Sequence, residues 1–193
     1  LTDFQKHKII YGIASCMEKV HKNGFIHCDL KPSNIYIDDE LLPKVSGFNL
    51  SILEDNILDD YPHESRVGTM RFMAPELLDE NESHTKSSDV YSFSIVMYYV
   101  YTNGSLPEFT ILGRMKGDKP RIPTSIPRSY AKLVIECMSI NPKERPSFNE
   151  IVSLLKSDEF FQSESEKSKF FNFIDGKDFN FEQFDSDQFD FIK

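Results

Sequence analysis

The sequence has no long apolar stretch: nowhere in its 193 residues do about 18 apolar residues run together, so no helical membrane span is expected. No basic-then-apolar leader opens it, and nothing in it points to secretion. Cysteine is scarce. The three present, Cys16, Cys28 and Cys137, stand far apart in no paired spacing, which argues against a disulfide framework and favours a reducing, cytoplasmic setting. Positive charge is short as well. With 22 Lys and Arg against 31 Asp and Glu the net charge is −9, which argues against nucleic acid or an anionic membrane as the main partner. There is no internal repeat. The first residue is Leu1 rather than methionine, so the chain is expected to begin inside a longer polypeptide.

What is present suits one soluble domain with a single core: 39% hydrophobic, 27% charged and 13% aromatic residues. Phe4, Ile9, Ile10, Ile13, Met17 and Val20 recur at three-and-four spacing, which predicts an amphipathic helix over 4–22 stopped by Asn23-Gly24. Phe25-Ile26-His27 reads as short and extended. Ile35-Tyr36-Ile37 and Pro43-Lys44-Val45 read as a hairpin closed through Asp38-Asp39. Residues 46–75 keep no period and are expected to be a long ordered loop, a length that usually serves function. Over 88–101 the pattern is apolar almost all round, which predicts a helix buried on most sides. Two further helices are expected near 129–139 and 148–156, the second opened by a Ser147–Glu150 capping box.

The tail, 158–193, differs. Ten Asp and Glu against four Lys put −6 of the total −9 there, interleaved with phenylalanines. Such a composition predicts a disordered, solvated extension. A sharper alternative is an acidic-aromatic strip that docks on a basic or apolar groove.

The string His27-Cys28-Asp29-Leu30-Lys31-Pro32-Ser33-Asn34 resembles the catalytic loop of the eukaryotic protein kinases, with Cys28 where that family carries Arg. Other motifs follow in family order. Gly68-Thr69 and Phe72-Met73-Ala74-Pro75-Glu76 resemble the end of an activation segment, and Asp89-Val90-Tyr91 the start of the buried central helix. Gly117-Asp118-Lys119-Pro120 is similar to a loop of the tyrosine-kinase-like group, and Asn141 to Phe148 to a late motif whose Arg pairs with the Ala-Pro-Glu glutamate.

The resemblance implies an α+β family fold, mainly α in this chain. It further implies a C-terminal lobe with a short β-hairpin over 1–157 and a tail over 158–193, with the N-terminal lobe missing from the chain. Asp29 would accept the substrate hydroxyl proton, Lys31 would steady the transferred phosphoryl group, and Thr69 would complete this Ser/Thr-type site. Asn34 would hold nucleotide-bound magnesium. His27, Phe48, Glu76, Asp89 and Arg145 would be structural: Asp89 bonded to the catalytic-loop backbone, Glu76 and Arg145 as a buried pair. ATP and magnesium are the implied cofactors, and a protein substrate or signalling partner the implied partner.

The departures from the pattern matter as much. Lys44-Val45-Ser46-Gly47-Phe48-Asn49-Leu50-Ser51 aligns with Lys-Ile-Ser-Asp-Phe-Gly-Leu-Ser, so Gly47 stands at the metal-binding Asp. Asn49 stands at the Gly, as a residue that tolerates left-handed backbone. Ser46 has neither the length nor the position to replace the carboxylate. Cys28 removes the receiver for phosphate at Ser65 or Tyr61, and it reads as a packed, unreactive thiol. No Gly-rich phosphate loop, strand lysine or partner glutamate is found in the sequence. Three readings stay open: a pseudokinase lobe that binds or positions proteins, a slow Ser/Thr kinase, and a truncated product without function.

Overall fold

Thr2 starts the first helix. Its hydroxyl accepts the Gln5 N–H while the Gln5 side chain accepts the Thr2 N–H, a closed capping box ahead of α1, Asp3–Lys22. The computed structural model describes residues 1–54, 68–78, 82–177 and 179. Gly24, at φ +79°, turns the chain out of α1 into β1, Phe25–Ile26. β2, Ile35–Ile37, pairs antiparallel with β3, Pro43–Val45, in the register Ile35 opposite Val45. This is the expected hairpin. Of the expected loop over 46–75, residues 55–67 lie outside the described residues, and Ile52–Leu53 forms β4 and pairs antiparallel with β1. Two residues are too short to leave a period, so only the partner strand defines them.

α2, Lys86–Tyr101, follows the Thr85 cap and begins two positions before the expected start at Ser88. Val90, Phe93, Ile95, Val96 and Met97 are at most 2% exposed, so the helix is buried as its all-round apolar pattern requires. α1 packs on α2, and so does α4, Arg128–Cys137, whose Tyr130 also bonds His7 of α1. A short α3, Ile111–Met115, is additional to the helices expected from periodicity. α5, Phe148–Leu154, carries the Ser147–Glu150 capping box and packs on α1. No described helix is long and apolar enough to cross a membrane.

The tail, expected to be a disordered, solvated extension, is described over 158–177 and at 179. Asp158–Phe160 makes a 3-10 turn and Glu164–Ile174 makes α6, with Ser163 as its cap. Phe170 is fully buried, edge-on to Tyr11 at 5.0 Å and to His7 at 4.5 Å between centroids. Phe179 is 7% exposed beside Gly12, where a Cβ would meet Pro43 Cγ at 2.5 Å and Phe179 Cδ1 at 3.2 Å. Lys8 Nζ sits 3.7 Å above the Phe173 ring. Phe170, Phe173 and Phe179 cover α1 while Asp158, Glu159, Glu164 and Asp175 face water. Composition averages over both faces and so hides the amphipathic one. Residues 180–193 lie outside the described residues.

Candidate active site

Asp89, on the first turn of α2, organises the loop that follows β1. Its Oδ2 accepts the His27 N–H at 2.8 Å, its Oδ1 the Cys28 N–H at 3.0 Å, and His21 Nε2 bonds Oδ2 at 2.8 Å. Burial by itself raises such a carboxyl. The bond from His21 and the amides of the loop outweigh it, and the Asp89 pKa lies below its ordinary value. Cys28 takes φ +68°, an uncommon conformation for a residue with a side chain, and the two amides on Asp89 hold it there. Its thiol is buried and its pKa is driven up by that burial, so it is a packed side chain rather than a nucleophile.

His27 is fully buried. Nε2 donates to Ser46 O at 2.8 Å, Nδ1 accepts the Asp29 N–H at 3.2 Å, and the ring packs on Phe48 at 4.5 Å. One histidine thus ties the loop holding Asp29 to the segment holding Gly47.

Asp29 is surrounded by donors. Oδ1 accepts the Thr69 N–H at 2.9 Å and hydroxyl at 2.8 Å; Oδ2 pairs with Lys31 Nζ at 2.6 Å and accepts Asn34 Nδ2 at 3.3 Å. Lys31 Nζ also donates to Thr69 Oγ1 at 2.7 Å. Burial alone raises this carboxyl too, but the donors from Lys31, Thr69 and Asn34 bring its pKa below the ordinary 3.8. The fold therefore brings Asp29, Lys31, Asn34 and Thr69 together from segments up to 40 residues apart.

Gly47 lies under Asn34. It takes φ +82°, and a Cβ there would stand 2.5 Å from Asn34 Cγ. Asn34 Nδ2 also donates to Asp29 O at 2.8 Å, and Asn34 O accepts both the N–H of Ser46 at 2.8 Å and its hydroxyl at 3.2 Å. Ser46 thus faces the main chain of Asn34. The left-handed residue in this stretch is Gly47 rather than Asn49, which lies in the right-handed turn Phe48–Leu50. Among the described residues, no group of three His, Cys, Asp or Glu could hold a metal ion. With both Asp29 oxygens bonded and glycine at 47, the residues present do not fit magnesium.

Away from this cluster, Arg145 and Glu76 form a bidentate pair at 2.6 and 2.7 Å, as the motifs lead one to expect. Arg145 also donates to Ser139 O and Ser87 O, and its side chain is wholly buried. One set of supporting contacts escaped the sequence. Buried Arg114 of α3 donates to Met73 O and Met70 O, each at 3.0 Å, and Ser92 of α2 donates to Phe72 O at 2.8 Å. Both support the segment after Thr69. A lone arginine in an unpatterned stretch carries no signal of this. Ser65 and Tyr61 lie outside the described residues.

A family model for protein tyrosine and serine/threonine kinases matches residues 1–155. The chain belongs to the protein kinase family. The serine/threonine/tyrosine-protein kinase HT1 of Arabidopsis thaliana is 36% identical over 77% of this chain and 39% of its own length. The RGS domain-containing serine/threonine-protein kinase A of Dictyostelium discoideum is 31% identical over 79% of this chain and 14% of its own. The inactive tyrosine-protein kinase 7 of Mus musculus is 34% identical over 80% of this chain and 15% of its own. The chain thus spans well under half of each of these relatives.

Proposed function

We propose that this domain is a pseudokinase, which binds or positions proteins in signalling and transfers phosphate poorly or not at all. The observation that carries this reading is Gly47 beneath the Asn34 side chain, at the place where the family resemblance expects a metal-binding carboxylate. A catalytic metal contributes several kcal/mol of charge stabilisation, and each ~1.4 kcal/mol is tenfold in rate, so its principal ligand is worth orders of magnitude. The likeness to a kinase named inactive is in keeping with it.

The second reading is a slow serine/threonine kinase. The Asp29–Lys31–Thr69 cluster favours it, since a proton acceptor and a cation stand side by side there. The two are separated in a form of the protein carrying an N-terminal lobe ahead of Leu1. The pseudokinase is expected to show no magnesium-dependent rise in melting temperature with ATP, and no phosphotransfer to Ser/Thr peptides above the level of Asp29→Asn. Robust turnover that Asp29→Asn abolishes would establish the second reading instead.

A further inference from the structure

Beyond α6 the chain turns back onto the hairpin. Gly176, at φ +65°, closes the helix with the left-handed turn that glycine favours, and the Lys177 N–H donates to the Ile174 carbonyl at 3.2 Å. Lys177 Nζ pairs with Glu40 Oε2 of the hairpin loop at 2.5 Å. The Phe179 ring lies edge-on to Tyr11 at 5.4 Å and to Phe173 at 6.2 Å, which seats it against α1.

Phe179 and Pro43 share that seat. Both press on Gly12 of α1, where a Cβ would stand 3.2 Å from Phe179 Cδ1 and 2.5 Å from Pro43 Cγ. One helical turn further on, Cys16 Sγ lies 3.8 Å from the Phe179 carbonyl oxygen and 3.9 Å from that of Pro43. The thiol is fully buried where α1, β3 and the tail meet.

β3 leads straight into the candidate site. Ser46, the next residue, donates its N–H and its hydroxyl to Asn34 O and accepts His27 Nε2. Gly47 then lies under the Asn34 side chain. The hold on the tail is light by comparison. The Lys177–Glu40 pair is exposed, and such pairs contribute little, so the buried Phe179 ring carries most of it. A segment held by so few buried groups opens without unfolding the rest of its domain.

We propose that the chain through Lys177 and Phe179 is a strap that clamps β3 on α1 and thereby fixes Ser46 and Gly47 against Asn34. A protein that grips the tail would draw Phe179 from its seat and loosen the loop at Gly47. The strap acts on the geometry of the site, whether or not the domain transfers phosphate.

The test is N-ethylmaleimide labelling of the folded full chain, read thiol by thiol by peptide mass spectrometry, together with hydrogen exchange. Phe179→Ala removes a large buried side chain and should label at Cys16 roughly tenfold faster than wild type or more. Cys137, fully buried in α4, reports global opening, and its rate should change far less. Amide exchange over 44–48 should rise in parallel, while α4 exchanges as in wild type. Lys177→Glu alters an exposed pair and should speed Cys16 labelling about threefold, with Glu40→Lys in the same chain restoring the wild-type rate. This surface variant carries the test if melting shows Phe179→Ala to be unfolded. Unchanged Cys16 labelling in the folded variants overturns the proposal. Equal acceleration at Cys137 does so too, since Phe179 would then be an ordinary part of the core. Faster Cys16 labelling with exchange over 44–48 unaltered also overturns it, because the tail would then be uncoupled from the hairpin.

Discussion

Asn34 folds its side chain over the backbone of Gly47, so that a Cβ at residue 47 would lie 2.5 Å from both Cγ and Nδ2 of Asn34. Restoring a carboxylate at this position is therefore more than a change of charge. Gly47→Asp must sustain φ +82° with a side chain and also push Asn34 off its bond to Asp29. We expect it to destabilise the fold by about 1–2 kcal/mol. Asn34→Ala in the same chain should return part of that loss. Urea unfolding of the two single variants and the double variant measures the coupling; strict additivity would show that the two side chains do not compete.

The Arg145–Glu76 pair joins the end of the Ala74-Pro75-Glu76 segment to the loop before α5. Removing either partner strands a buried charge, so Glu76→Ala and Arg145→Ala should each cost about 3–5 kcal/mol. Arg145→Ala should be the worse, because Ser139 O and Ser87 O lose their donor as well. Equilibrium unfolding checks both, and unchanged stability in Glu76→Ala would remove the pair from the list of structural clamps.

Phe170 and Phe171 are neighbours on α6 with opposite surroundings, fully buried and 38% exposed respectively. Phe170→Ala should cost about 3–5 kcal/mol and Phe171→Ala about 0.5 kcal/mol or less. Near-equal effects on the melting temperature would mean that α6 does not belong to the core.

His7 gives the tail a pH dependence. Its Nδ1 bonds the Tyr130 hydroxyl at 2.5 Å, while Phe160, Phe161 and Phe170 surround the ring. Asp3, Glu159 and Glu166 line the same cavity, yet burial prevails and lowers its pKa from 6.5 to about 4. The unfolded chain takes up the proton first. The contribution of neutral His7 is therefore complete above about pH 6.5 and falls as the pH drops toward about 4, by roughly 3 kcal/mol in all. His7→Gln, which keeps a partner for Tyr130, should flatten the stability profile between those limits. A profile identical to wild type would rule His7 out as its source.

The catalytic-loop string, the hairpin at 35–45 and the wholly apolar α2 were legible because each rests on short-range chemistry at fixed spacing. His27, Asp29, Lys31 and Asn34 lie within eight residues of one another, and alternation or helical periodicity needs only a few turns of chain. The Arg145–Glu76 pair was legible through its motifs. Distance in sequence hid the rest. β4 exists through β1, twenty-odd residues upstream, and α6 through the α1 face that Phe170 covers. α3 points its apolar side chains outward because Arg114 points in, toward carbonyls of a segment more than forty residues earlier.

At the site itself, residue identity and residue conformation were decided at different levels. The sequence alone determined that residue 47 carries no carboxylate and that Asp29, Lys31 and Asn34 share one loop. Only the tertiary structure decided that Gly47, not Asn49, takes the left-handed turn, and that Asn34 fills the space above it. The reason is physical. A missing functional group is absent in every conformation, whereas the direction of a side chain follows from which distant donors and acceptors burial forces it to meet.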